Sequence, residues 1–115
     1  MDTKIDAVGE ISVVRVNGNI LQENVQVFKK ALLDLVDQGK IKIVLDLSLS
    51  IYLSSLCLAT IVDIRMRVNE VGGDLKLAGI TRLAQTVLES TNLTTKFETF
   101  SDVDAAVKSF GSSEK

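Results

Sequence analysis

The sequence predicts an α/β domain: a four- to five-stranded mixed sheet with helices mainly on one face. Two observations lead there. Short apolar runs of strand length alternate along the chain with segments whose apolar residues recur at every third or fourth position. The chain also opens on two strand-like runs in succession, so at least one antiparallel pair joins a sheet whose later strands are separated by helices. At 115 residues, 46% hydrophobic and 24% charged, it is read as one domain over 1–115. Its core runs from about residue 4 to about 110, and 111–115 form a frayed tail.

The elements follow in order. Residues 4–8 (KIDAV) and 11–16 (ISVVRV) are apolar-rich and separated by Gly9-Glu10, the pattern of a hairpin. Beyond Gly18 the period changes. Val25, Phe28, Leu32, Leu35 and Val36 share one helical face from Asn24 onward, Lys29, Lys30, Asp34 and Asp37 share the other, and Gly39 ends the helix. Residues 41–47 (IKIVLDL) are a compact apolar run, as expected of a strand buried on both faces. After Ser54-Ser55, residues Leu58, Ile61, Val62 and Met66 mark a second helix that stops at Gly72-Gly73. Residues 74–80 (DLKLAGI) form the next strand, and 81–91 a short helix through Leu83, Val87 and Leu88. Phe97 to Phe100 make a last short strand. Ser101 is expected to cap a final helix through Val103, Ala106, Val107 and Phe110.

The β-β-α-β-α-β-α-β-α order implies right-handed crossovers and a mostly parallel sheet. In such sheets function gathers beyond the carboxyl ends of the strands. The stretch YLSSLCLAT (52–60) lies there, just after the strand at 41–47.

Composition removes several function classes. There are 13 Lys and Arg against 15 Asp and Glu, a formal charge of -2 with no basic cluster, so no nucleic-acid partner is expected. The chain has no histidine, which excludes Ser-His-Asp and Cys-His catalysis and the usual zinc sites. Its one cysteine, Cys57, forms no internal disulfide, which suits a reducing compartment. No apolar run reaches membrane-spanning length and the first residues lack a signal-peptide core, so direct membrane insertion is not expected and the location is read as cytoplasmic. No metal constellation or phosphate-cradling glycine loop is present, and no cofactor is expected.

Within 52–60, Ser54 and Ser55 carry two readings. As a helix N-cap, one serine would accept a bond from the first free amides, worth about 1 kcal/mol. This explains one serine but not two. As a modification site, a hydroxyl at a helix N-terminus can carry a phosphate against unpaired amides, and the added charge of about -1.5 to -2 would repel a partner resting on an apolar surface. Catalysis ranks below both. Ser55 has no histidine to activate it, Lys76 has no spacing that makes it a base, and no G-x-S-x-G elbow is present. Asp46 reads better as a strand-end residue bonded to the following loop than as a catalytic carboxylate. Cys57 reads better as a half-buried packing residue than as a reactive thiol. The chain is not expected to be an enzyme.

Four stretches, in order, resemble the STAS domain family (sulphate transporter and anti-sigma-factor antagonist). They are VNGNILQENVQVFKKAL with Gly18 and Asn24, then KIVLDLS ending at Ser48, then YLSSLCLATIV, and last VGGDLKLAGITRLAQTVLESTNLTTKFETFSDVDAAV. The resemblance covers nearly all of 5–110. It implies an anti-sigma-factor antagonist, a protein-protein interaction module of bacterial signalling and transcription regulation. Such a module binds a kinase-type anti-sigma factor that phosphorylates one serine, and a phosphatase resets it. That serine falls on Ser55, with Ser54 the alternative. The implied partner surface is Leu21, Gln22, Asn24, Ser54, Leu56 and Cys57, on a monomer or weak dimer. The chain departs from the family pattern at Ser54 (acidic in the family), Leu56 (serine), Cys57 and Ala59 (glycines), and at Leu21, where many members have Asp. These departures make the surface more apolar. They suit a second reading: a constitutive, unphosphorylated adaptor subunit of a membrane-associated, lipid-transport-type complex binding an ATPase, or of another regulatory complex.

Overall fold

The computed structural model describes residues 2–21, 23–50, 52–90 and 98–111. Strands β1 (Asp2–Val8) and β2 (Ile11–Asn17) open the chain, followed by helix α1 (Val25–Asp37) and strand β3 (Lys42–Leu49). Helix α2 (Ser55–Glu70), strand β4 (Asp74–Ala78), helix α3 (Arg82–Ser90), strand β5 (Thr99–Phe100) and helix α4 (Val103–Gly111) complete it. The expected order of elements is therefore the observed one.

The sheet runs β1-β2-β3-β4-β5, so every strand lies beside its predecessor. β1 pairs antiparallel with β2, and the remaining neighbours are parallel. The hairpin turns through Gly9 at φ 61°, a left-handed conformation that glycine adopts without a Cβ clash. It puts β1 at one edge, and short β5 closes the other.

Strand alternation divides the apolar residues between two layers. On one face Val14, Val16, Ile43, Leu45, Leu47, Leu75 and Leu77 pack against Phe28 and Leu32 of α1, Leu58, Ile61 and Ile64 of α2, and Leu88 of α3. On the other, Ile11, Val13, Val44 and Ala78 meet Ala106 and Phe110 of α4. Three helices thus cover one face and one covers part of the other, in line with the expectation from sequence. Central β3 feeds both layers, which is why IKIVLDL shows no polar alternation.

α1 ends as its glycine requires. Gly39 sits at φ 79°, and the amides of Gly39 and Lys40 return to the carbonyls of Val36 and Leu35 at 2.9 Å each. The last helix begins one residue later than expected. Asp102, not Ser101, caps α4, its carboxylate accepting from the Ala105 amide at 2.9 Å. Two assigned core positions also turn outward. Met66 is 60% exposed and Leu83 47% exposed, because α2 buries Cys57, Ile61, Ile64 and Val68 and α3 buries Ala84 and Leu88 instead. Phe97 and residues 112–115, assigned to the last strand and the tail, lie outside the described residues.

Lys76 fastens α4 to the sheet. It points from β4 toward the α4 layer, is 7% exposed, and donates to Ser109 Oγ at 2.8 Å. Its ammonium stands 4.4 Å from the Phe110 ring centroid and 3.3 Å from Glu98. It is thereby held in a structural role.

Candidate functional site

Beyond the carboxyl ends of β2 and β3 the chain makes two loops, and backbone pairing stitches them together. Ile20 and Leu53, both fully buried, form a parallel bridge that continues the β2–β3 ladder past the strands. The Ile20 amide donates to the Tyr52 carbonyl at 3.3 Å and the Ser54 amide to the Ile20 carbonyl at 3.0 Å. Side chains reinforce this. Asn19 Oδ1 accepts from the Tyr52 amide at 3.0 Å. Asn24 accepts from the Leu21 amide at 2.8 Å and donates to the Asn19 carbonyl at 3.2 Å. Asn19 and Ile20 are thus fixed against the residues that lead into α2, and Leu21 follows directly on the carbonyl that holds the Ser54 amide.

The two serines are in different states. Ser54 is the N-cap of α2, with extended backbone (φ -71°, ψ 159°), and its half-buried hydroxyl accepts from the Cys57 amide at 3.1 Å. The Leu58 amide is taken by the Ser54 carbonyl at 3.1 Å. Ser55 is the first helical residue. It is exposed, and its hydroxyl makes no hydrogen bond among the described residues. The amides of Ser55 and Leu56 precede the first intrahelical bond and face outward with the positive end of the helix dipole. The first turn of α2 holds no acidic side chain. An anion on Ser55 would therefore meet two open amides and no acidic side chain in the first turn of its own helix.

Around the serines the surface is apolar. Leu56 is 44% exposed and Tyr52 45%, and Leu21 is half-buried, whereas Leu49, 61% exposed, lines the cleft toward β1. Cys57 does not belong to this surface. It is fully buried in the core, and burial pushes its thiol up to about 12, so it neither touches a partner directly nor offers a thiolate. The cause is the helix itself: Cys57, Ile61, Ile64 and Val68 form one inward stripe. Gln22 lies outside the described residues. Asn24 is half-buried and braces its own loop, through Leu21 and Asn19, rather than capping α1 with its side chain. Asn19, Tyr52 and Leu49 were not singled out from sequence. Asn19 stands next to Gly18 in a turn-forming pair, the one local sign of its bridging role.

Asp46 serves the end of β3. Its carboxylate accepts from the Ser48 hydroxyl at 2.8 Å and the Ser48 amide at 3.1 Å, and Arg15 reaches it at 3.4 Å. Shallow clefts of about 350 and 380 Å³ lie on either side of this group, one toward the start of α4 and the other toward β1. Among the described residues no group of three or more His, Cys, Asp or Glu is placed to hold a metal ion, and no helix is long and apolar enough to cross a membrane.

Comparison with known proteins agrees with this architecture. The STAS domain model matches residues 2–106. The fold superposes on a Thermotoga maritima protein described as an anti-sigma factor antagonist, with a TM-score of 0.88 and 26% identity over 93% of this chain and 92% of that one. An anti-sigma factor antagonist from Mycobacterium paratuberculosis gives 0.86 at 20% identity, covering 94% and 92%. The Bacillus cell fate determinant SpoIIAA in its phosphorylated form gives 0.74 at 14% identity, covering 95% and 99%. The latter two share too little sequence to carry more than the fold. No curated protein matches the chain. With the family match spanning nearly the whole sequence and the sheet, helices and strand order in agreement, the chain belongs to the STAS domain family.

Proposed function

We propose that this protein is an anti-sigma-factor antagonist whose binding is switched by phosphorylation of Ser55. The carrying observation is the division of labour in the serine pair. Ser54 is engaged as the cap, while Ser55 is exposed, unbonded and set where a phosphate meets open amides. The partner is a kinase-type anti-sigma factor, resting on Leu21, Asn24, Ser54 and Leu56 with Tyr52 beside them. Unphosphorylated, the surface is partly apolar, with Glu23 the acidic side chain in its loop. A phosphate on Ser55 sets a charge of about -1.5 to -2 within it, and a desolvating partner is repelled. A phosphatase restores binding. The Thermotoga maritima protein described by the same role supports the assignment.

The exposed Tyr52 and Leu56 favour a second reading, a constitutive adaptor held by a permanent apolar interface. One experiment separates the two. Immobilised Ser55→Ala and Ser55→Glu proteins are offered to a lysate of the native cells, and bound chains are identified by mass spectrometry. The switch requires a kinase-type anti-sigma factor on Ser55→Ala and its loss from Ser55→Glu. Equal capture by both variants would refute the switch and leave the adaptor.

A further inference from the structure

The outer edge of β1 is a strand of seven residues, exposed on both faces except for half-buried Asp6, with Ile5 44% and Val8 47% exposed. Among the described residues it has one neighbour, β2, so the backbone groups on its other side are unpaired. Such an edge templates pairing unless something prevents it, and a lysine is a common guard. Lys4 stands mid-strand, but Asp6 follows two residues later.

That spacing selects a register. In an antiparallel pair of two β1 strands centred on Ile5, Ile5 opposes Ile5, Thr3 opposes Ala7, and Lys4 opposes Asp6 twice over, by symmetry. Centring on Lys4 or Asp6 sets like charges opposite one another, and a one-residue slip loses the ion pairs. The backbone agrees with the centred register. Val8 and Ile11 close a two-residue hairpin, so they are a hydrogen-bonded pair and Asp6–Val13, Lys4–Arg15 and Asp2–Asn17 follow in alternation. The amides and carbonyls of Thr3, Ile5 and Ala7 therefore point to the free edge, where the centred register uses them. The faces agree as well. Ile5 pairs with Val14, on the α1–α3 side, while Lys4 and Asp6 pair with Arg15 and Val13, on the α4 side. Each intermolecular pair thus joins residues of the same face.

We infer that two copies of this chain associate through β1 in antiparallel register centred on Ile5, forming a continuous ten-stranded sheet. The two-fold axis stands perpendicular to the sheet. The Ser55 surfaces, beyond the carboxyl ends of β2 and β3, then lie at opposite ends of the pair and both stay open. One strand pair buries little area, so association is weak and concentration-dependent.

Sedimentation velocity over a wide concentration range tests this on the whole chain. Wild type is expected to pass from monomer to dimer. Lys4→Asp or Asp6→Lys alone replaces two attractive cross-strand pairs with repulsive ones and weakens association by about tenfold or more. The double swap Lys4→Asp/Asp6→Lys restores it. Ile5→Pro removes an outward-facing amide without touching the β2 ladder, so it abolishes the dimer while circular dichroism stays native. A wild type that remains monomeric throughout overturns the inference. So does a dimer that the single charge reversals or Ile5→Pro leave intact, or one that the double swap fails to restore.

Discussion

Replacing each serine of the pair separately by alanine distinguishes a structural hydroxyl from a free one. Ser54→Ala deletes the acceptor 3.1 Å from the Cys57 amide and leaves that donor without its cap at the start of a 16-residue helix. Loss of such a cap costs about 1 kcal/mol. For a chain of 115 residues, with an unfolding entropy of about 2.1 cal/mol/K per residue, this corresponds to a fall in Tm of about 4 °C. Ser55→Ala removes an exposed hydroxyl with no partner among the described residues, so its effect stays within about 0.5 kcal/mol and about 2 °C. Ser54→Asp keeps an acceptor at the cap and places a negative charge beside the helix N-terminus, so its Tm equals or slightly exceeds that of wild type. Thermal unfolding followed by far-UV circular dichroism reads all three. If Ser55→Ala were as destabilising as Ser54→Ala, or Ser54→Ala were neutral, the assignment of roles within the pair would be wrong.

Three further outcomes follow from packing and charge. Phe28→Ala empties a fully buried position under α1 and should lower stability by about 3–5 kcal/mol, measured by urea unfolding. At Gly73 an added Cβ would overlap the Ile41 carbonyl and come within 2.6 Å of the Ile41 Cβ, so Gly73→Ala should cost about 1–3 kcal/mol in the same assay although its backbone is not left-handed. Cys57 should resist thiol reagents in the folded protein across neutral and mildly alkaline pH and react on unfolding. Its thiol is raised by burial from 9.0 to about 12, so the folded state holds the proton more tightly than the unfolded one. The stability this contributes is complete below pH 9 and is lost as pH rises from 9 toward 12, and Cys57→Ala should flatten that part of the stability–pH curve.

The parts of the molecule that repeat a period were legible in its sequence. α1 buries Val25, Phe28, Leu32 and Leu35, residues whose spacing announced the helix, and Gly39 stops it where a left-handed residue is needed. IKIVLDL gave its double-faced burial away by lacking polar alternation. Errors arose where two adjacent residues could serve equally. Ser101 and Asp102 both make good caps, and only the position of the first free amides of α4 decides between them. Met66 and Leu83 are apolar but stand off stripes set by Ile64, Val68, Ala84 and Leu88, so local hydrophobicity did not reveal their direction. The site was half legible. A hydroxyl pair before a helix marked its place, whereas the Ile20–Leu53 bridge and the Asn19–Tyr52 bond that join its two loops arise between residues some thirty positions apart. The burial of Cys57 belongs to the same class, since it depends on which side of α2 meets the sheet.

The central claim is that the Ser55 hydroxyl is modified while the Ser54 hydroxyl holds the helix. Peptide mass spectrometry of the protein taken from its native cells, with Ser55→Ala expressed in parallel, addresses it most directly. The account predicts phosphate on Ser55 in wild type and none on the pair in the variant. Phosphate on Ser54, or none on either serine under any growth condition, would contradict it and leave the pair a helix cap beside a constitutive interface.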